Sequence, residues 1–140
     1  MLVKQGRFDE AAPYIEVTQS QAERRNEHGP ADLRRQAYFY QLFVDTAFLQ
    51  GRDDESYAWL RRWAAEMPDN GRPYLMLAAI DSLHGRDEQA KVNMARHREI
   101  LPRSTVRYVE RLYRSSNSTV IEQRTRLLEG LRKAGLPEGA

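Results

Sequence analysis

A short motif recurs in this chain at a fixed distance of 34 residues. It begins at Gly51 as Gly-Arg-Asp-Asp-Glu-Ser and at Gly85 as Gly-Arg-Asp-Glu-Gln-Ala. A proline follows each glycine by 17 residues, at Pro68 and Pro102, and a third copy of the motif begins at Gly6. A period of this length is typical of solenoids built from helix pairs, and solenoids usually act as surfaces that hold other molecules.

The composition sets broad limits on what the chain can be. At 140 residues it is long enough for one domain with a hydrophobic core. It has no cysteine, which excludes disulfides and thiolate chemistry and fits a reducing compartment. No apolar run reaches the length of a membrane helix, and Met1 to Val3 are followed at once by Lys4, unlike a signal peptide. We therefore expect a cytoplasmic protein that does not enter a membrane and has no cofactor.

The net charge of +2 conceals an uneven distribution along the chain. Residues 96–133 carry ten basic and four acidic side chains, whereas residues 1–95 carry an excess of acidic ones. A basic end can attract nucleic acid, anionic lipid or an acidic protein, but it is more often the solvated face of arginine-rich helices. Because no exposed aromatic residues are expected among these arginines, the sequence disfavours nucleic acid as a partner.

The 34-residue register divides the chain into repeats and a C-terminal cap. A partial repeat occupies 1–36, full repeats occupy 37–70 and 71–104, and a helical cap occupies 105–140. Gly51 and Gly85 are expected to end helices in a left-handed conformation, and Asp53 and Asp87 to cap the helices that follow. Pro73 fits the first turn of a helix.

Other helix boundaries can also be predicted from local signals. Asp32 is expected to cap a helix after the break at Gly29-Pro30, and Ser104 or Thr105 to cap another. Thr119-x-x-Glu122 has the form of a capping box that opens the last helix. The apolar faces of the last two helices are expected to comprise Val106, Val109, Leu112 and Tyr113, and then Ile121, Leu127, Leu128 and Leu131.

The register resembles that of the tetratricopeptide repeat (TPR), a helix-turn-helix unit. Small residues stand at position 20 (Ser56 and Ala90) and proline at position 32, but position 27, normally small, holds Trp63 and His97. The resemblance implies an all-α, right-handed solenoid of helical hairpins with C-terminal capping helices. It also implies a partner-binding groove along the first helix of each repeat. The corresponding residues are Tyr38, Gln41, Asp45, Phe48, Leu49, Arg72, Leu75, Ala79, Ser82 and Leu83.

The last residues suggest a more specific context. The segment Leu131-Arg132-Lys133-Ala134-Gly135-Leu136-Pro137 is similar to the ends of certain bacterial multidomain proteins. These proteins join a class III adenylate/guanylate cyclase domain, or a winged-helix regulator domain, to a C-terminal TPR region. The resemblance implies that this chain is the C-terminal regulatory part of a larger signalling protein. No catalytic residue of a cyclase can be assigned to any position here.

No catalytic or metal-binding motif is evident. His28, His84 and His97 lack the spacing of a zinc helix, and the acidic pairs at 53–54 and 87–88 fit helix starts better than acid–base chemistry. We therefore expect the chain not to be an enzyme. Trp59 and Trp63 lie close in sequence to further aromatic residues, and core packing is favoured over a ligand pocket for them.

The sequence thus predicts a protein–protein interaction or regulatory module that binds a protein or peptide, as a helix or an extended segment. The largely neutral groove favours an apolar segment, and the lysine and asparagine set with which some TPR proteins hold a terminal carboxylate is absent. A winged-helix regulator's effector region and a free-standing homodimeric adaptor are alternatives. Nucleic-acid binding and catalysis by the chain itself are two further hypotheses.

Overall fold

The computed structural model describes residues 30–139, and every regular element within them is an α-helix. The all-α prediction is therefore confirmed for this part of the chain. The motif at Gly6 and the residue His28 lie outside it. The six described helices are α1 (Pro30–Leu49), α2 (Asp53–Glu66), α3 (Arg72–Leu83), α4 (Asp87–Ile100), α5 (Val106–Leu112) and α6 (Ser118–Lys133).

Contacts within the chain group into two compact units, and the boundary between them falls after Trp59, inside α2. Residues 30–59 are the described part of the first unit, and residues 60–139 are that of the second. The prediction of one domain over residues 1–140 stays a prediction.

In the first unit, α1 ends in a tight turn at Gly51, whose φ of 74° is left-handed. The amide of Gly51 donates to the Phe48 carbonyl (3.0 Å), and the amide of Arg52 donates to the Ala47 carbonyl (2.8 Å). These bonds satisfy carbonyls at the end of the helix that have no partner within it. The chain then enters α2, and the buried Ser56 hydroxyl donates to the Val44 carbonyl of α1 (3.1 Å).

In the second unit, α3 ends in a turn of the same form at Gly85, whose φ is 76°. The amide of Gly85 donates to the Ser82 carbonyl (3.3 Å), and the amide of Arg86 donates to the Asp81 carbonyl (2.8 Å). The chain then enters α4, which packs against α3. The expectation of left-handed glycines at both positions is confirmed.

Helix α6 packs along α3, and the approach is closest at Gly130. A Cβ atom on Gly130 would lie 2.5 Å from the Ala79 carbonyl oxygen, so only glycine allows this contact. The Lys133 ammonium donates to the Ser82 carbonyl (3.3 Å). Three leucines of α6 are buried, as the sequence predicts: Leu127, Leu128 and Leu131.

Helix α5 is held at its start by the C-terminal segment. The amides of Val106 and Arg107 donate to the carbonyls of Pro137 (2.8 Å) and Glu138 (3.0 Å). The Thr105 hydroxyl accepts from the Tyr108 amide (3.2 Å), which confirms Thr105 as the cap of this helix.

Several helix boundaries differ from the sequence-based predictions. Helix α1 begins at Pro30, so Asp32 lies in its first turn, and the cap of α6 is Asn117 rather than Thr119. Asp53 and Asp87, predicted as caps, are instead the first residues of α2 and α4, and Arg86 is the cap of α4. Both aspartates therefore favour their helices through their charge. The apolar faces are also narrower than expected, because Leu112 and Ile121 are exposed.

Candidate functional site

The predicted groove residues of α1 differ widely in exposure. The Tyr38 side chain is 55% exposed, while Phe48 is 2% exposed and belongs to the core. Gln41 and Asp45 are half-buried, and the Gln41 amide donates to the Asp45 carboxylate (2.9 Å). Leu49 is also half-buried. A partner could therefore contact this helix at Tyr38 and its neighbours, but not through the Phe48 side chain.

The predicted groove residues of α3 are mostly covered by the chain itself. Arg72 is exposed, but Leu75, Ala79 and Ser82 are buried. Ala79 and Ser82 lie against α6, through the contacts of Gly130 and Lys133, and Leu83 also approaches Gly130. A charged substitution at Phe48 or Leu75 would accordingly test folding rather than binding.

A buried polar cluster joins α3 to α4. The carboxylate of Asp81 is fully buried and accepts hydrogen bonds from the Arg86 guanidinium (2.8 Å) and the Asn93 amide (2.8 Å). Because both carboxylate oxygens are bonded within the protein, the cluster stabilises the helix pair and offers nothing to a ligand. The cluster was not predicted from the sequence. The signal that could have revealed it is Asp81 itself, a charged residue at the position where the preceding repeat has Ala47.

His97 is buried on α4, in contact with the start of α3. Its Nδ1 lies 2.7 Å from the Gly71 carbonyl, so the Nδ1–H donates, and burial lowers the pKa of the imidazole. The buried Nε2 has no hydrogen-bond partner in the described part of the chain. His97 is therefore a neutral core residue, whereas His84 is exposed. Trp63, at the equivalent position of the other repeat, is also buried, in keeping with the core role predicted for it.

An arginine-lined cleft lies between α5 and α6, with a volume of about 460 Å³. The predicted basic end of the chain thus has a concave surface, which the spacing of its residues alone could not reveal. We call this surface the arginine cleft. Its lining residues are Arg107, Glu110, Arg111, Arg114 and Arg124.

Two features of the arginine cleft set its chemistry. The Arg124 guanidinium donates to the Tyr113 carbonyl (3.4 Å), which ties this side chain to the end of α5. Tyr108, between two of the cleft arginines in sequence, is 50% exposed. The exposed Tyr108 removes the reason for which the sequence disfavours nucleic acid, namely the expected lack of exposed aromatic residues among the arginines.

Neither a metal site nor a membrane helix is found in residues 30–139. No group of three or more histidine, aspartate or glutamate side chains in that range could hold a metal ion. None of the helices there is both long and apolar enough to cross a membrane. Comparison of the chain with protein-family models, curated proteins and solved structures gives no match.

Proposed function

We propose that the chain is a TPR-like protein–protein interaction module, in which helical hairpins stack as a right-handed solenoid. The repeated turn carries this proposal. Gly51 and Gly85 have φ angles within 2° of each other, and the residue after each glycine donates its amide to a carbonyl five residues back. A backbone geometry that recurs with the sequence period supports a repeat architecture.

The partner-binding surface that we propose is the accessible face of α1. It centres on Tyr38 and includes Gln41, Asp45 and Leu49, which are partly exposed. An exposed tyrosine beside half-buried apolar and amide groups suits a helix or an extended peptide that brings its own apolar side chains. On α3, Ala79 and Ser82 are covered by α6 of the same chain and do not contribute to this surface.

We further propose that the module is the C-terminal regulatory part of a cytoplasmic signalling protein that also carries an adenylate cyclase-like domain. The support is the resemblance of the Leu131-to-Pro137 segment. Under this proposal the chain itself is not the catalyst and has no cofactor. It would act by holding a segment of the cyclase-like domain or of a regulatory protein.

The gene sequence upstream of Met1 identifies the protein to use in the test. If the frame continues into a cyclase-like or winged-helix domain, that domain is purified and titrated with the 140-residue chain by calorimetry. Replacement of Tyr38 by glutamate should weaken binding about tenfold, because it places a charge at the centre of the contact. Val92, on α4, is 63% exposed and provides a matched control: Val92→Glu should leave the affinity unchanged.

Two results would contradict the proposal. One is an upstream domain that does not bind the chain at all. The other is equal binding by the wild type and Tyr38→Glu while circular dichroism shows both to be folded. A stop codon just upstream of Met1 would instead favour the free-standing adaptor, and a monomer mass in light scattering would then exclude its homodimeric form.

A further inference from the structure

The arginines of the cleft differ in their partners from several other arginines of the second unit. In the described part of the chain, Arg107, Arg111 and Arg114 form no ion pair, and Arg124 bonds only to a carbonyl. Arg86, Arg96 and Arg132, by contrast, each pair with a carboxylate of the chain. The cleft therefore concentrates positive charge that the protein neutralises only in part, through the carboxylate of Glu110 in its lining and that of Glu138 near Arg107.

The arginines come from two elements that converge. Arg107 and Arg111 are four residues apart on α5 and therefore lie on one face of that helix. Arg114 follows the end of α5, and Arg124 reaches the cleft from α6. Guanidinium groups bind phosphate oxygens in a bidentate manner, and several of them around one cavity suit a ligand with more than one phosphate.

An aromatic ring stands beside this charge. Tyr108 and Leu112, four residues apart on α5, are both about half exposed and form an apolar strip next to the arginine face. Proteins that bind single-stranded nucleic acid combine a positive groove for the phosphates with an exposed aromatic ring on which a base stacks. Both components are present on this short helix.

We propose that the arginine cleft is a binding site for single-stranded nucleic acid, with its phosphates on Arg107, Arg111, Arg114 and Arg124 and a base stacked on Tyr108. This site goes beyond the proposed function, since it lies on α5 and α6 and shares no residue with the face of α1. An acidic protein segment would satisfy the arginines but would leave the tyrosine ring without a role. An anionic membrane would favour arginines spread over a flat surface, whereas these line a concavity.

The test measures the fluorescence anisotropy of a labelled oligothymidylate of about 12 nucleotides, a length within the range of known single-strand sites. The full chain should bind it at about 50 mM salt, and the affinity should fall with a log–log slope of about −2 to −3, as expected for three or four phosphate contacts. The double variant Arg111→Ala/Arg114→Ala should bind at least about tenfold more weakly, with a slope shallower by about 1.4.

Matched variants distinguish binding at the cleft from a general effect of the protein's net charge. Arg98 and Arg103 are exposed and lie outside the cleft, so Arg98→Ala/Arg103→Ala removes the same charge and should change the affinity less than about threefold. Arg111→Lys/Arg114→Lys should keep the salt slope, and circular dichroism should show the alanine variant to be as helical as the wild type. Tyr108→Ala should weaken binding about tenfold without altering the slope, and Tyr108→Phe should restore it.

The following results would overturn the proposal. The oligonucleotide fails to bind at low salt, or the control pair of arginines weakens binding as much as the cleft pair. Tyr108→Ala binds like the wild type, which would indicate an anion site with no base contact. An acidic peptide or vesicles of anionic phospholipid bind in an Arg111-dependent manner while the oligonucleotide does not.

Discussion

The two turns at Gly51 and Gly85 have the same backbone, but the helices beside them are joined in different ways. Beside Gly51, the half-buried Trp59 ring of α2 packs on Phe43 of α1, with ring centroids 4.5 Å apart. Beside Gly85, the residues that lie 34 positions after Ala47 and Trp59 are Asp81 and Asn93. A buried hydrogen bond joins the side chains of these two residues. The arginine after each glycine changes partner accordingly.

Arg52 pairs with Glu55 on its own helix (3.3 Å), because Ala47 offers no carboxylate. Arg86 instead reaches back across its turn to Asp81 (2.8 Å). The comparison shows which part of the motif determines the turn. The glycine and its neighbouring amides fix the backbone, whereas the side chains between the helices can be aromatic or polar, provided that each interior is packed or hydrogen-bonded within itself.

The largest effect on stability is expected when the buried polar cluster between α3 and α4 is disrupted. Asp81→Ala would leave the buried Asn93 amide without its acceptor and remove the partner of Arg86, so the free energy of unfolding should fall by about 3 kcal/mol. Urea denaturation measures this. The double variant Asp81→Ala/Asn93→Leu makes the interior apolar, as beside Gly51, and should regain most of the loss. A cost below about 1 kcal/mol for Asp81→Ala would show that the cluster does not hold the pair together.

A smaller loss is expected where α6 covers α3. Gly130→Ala would force a methyl group against the Ala79 carbonyl, with a net loss of about 1–2 kcal/mol after the gain in helix propensity. Glu129, next to it and exposed, is the control, and Glu129→Ala should change stability by less than about 0.5 kcal/mol. Equal stability of the two variants in thermal unfolding would mean that the helices are not in close contact.

The shared backbone can be tested by changing both turn glycines. Gly51→Ala and Gly85→Ala should each cost about 1 kcal/mol, because alanine is strained at positive φ. Apart from the adjacent residues, no atom of the described chain lies within 4 Å of either new methyl group. The prediction is that the two costs agree within about 0.5 kcal/mol, measured by urea denaturation. Costs that differ clearly would mean that the two turns are not equivalent.

The smallest effect on the free energy of unfolding at neutral pH is expected for substitution of His97. This residue stands where the other full repeat has Trp63. Burial holds the pKa of His97 below its ordinary value of 6.5, so the unfolded chain binds a proton more readily than the folded one. The contribution of neutral His97 to the free energy of unfolding is therefore fully present above about pH 6.5. It is lost as the pH falls through the lower pKa of the folded state. His97→Asn, which keeps a donor towards Gly71, should flatten this pH dependence of the free energy of unfolding, measured by urea denaturation at several pH values.

The all-helical class, the two glycine turns and one helix cap could be predicted because they depend on local signals. The glycines at 51 and 85, the proline at 73 and the cap at Thr105 each act through their own backbone geometry, and all lie where the sequence predicts. The cap of α6 could not be predicted as well, because Asn117, Ser118 and Thr119 are all good capping residues. Only the structure shows that the Asn117 side chain takes this role.

The candidate sites could be predicted less well, because they depend on which elements cover one another. The resemblance to a TPR predicts that Ala79 and Ser82 line a groove, but the sequence carries no information that α6 lies over them. The charge of residues 96–133 is evident from the sequence, yet its arrangement in a cleft requires α5 and α6 to converge. The exposure of Tyr108 follows from the same packing, which buries Val106 and Val109 instead.

The most direct test of the repeated helix pair is an NMR measurement of the 140-residue chain. We expect helical chemical shifts on both sides of each turn and positive φ at both Gly51 and Gly85. We also expect nuclear Overhauser contacts between Phe43 and Trp59 and between the side chains of Asp81 and Asn93. Contacts around only one of the two turns, or extended shifts in either flanking helix, would contradict a repeated helix pair.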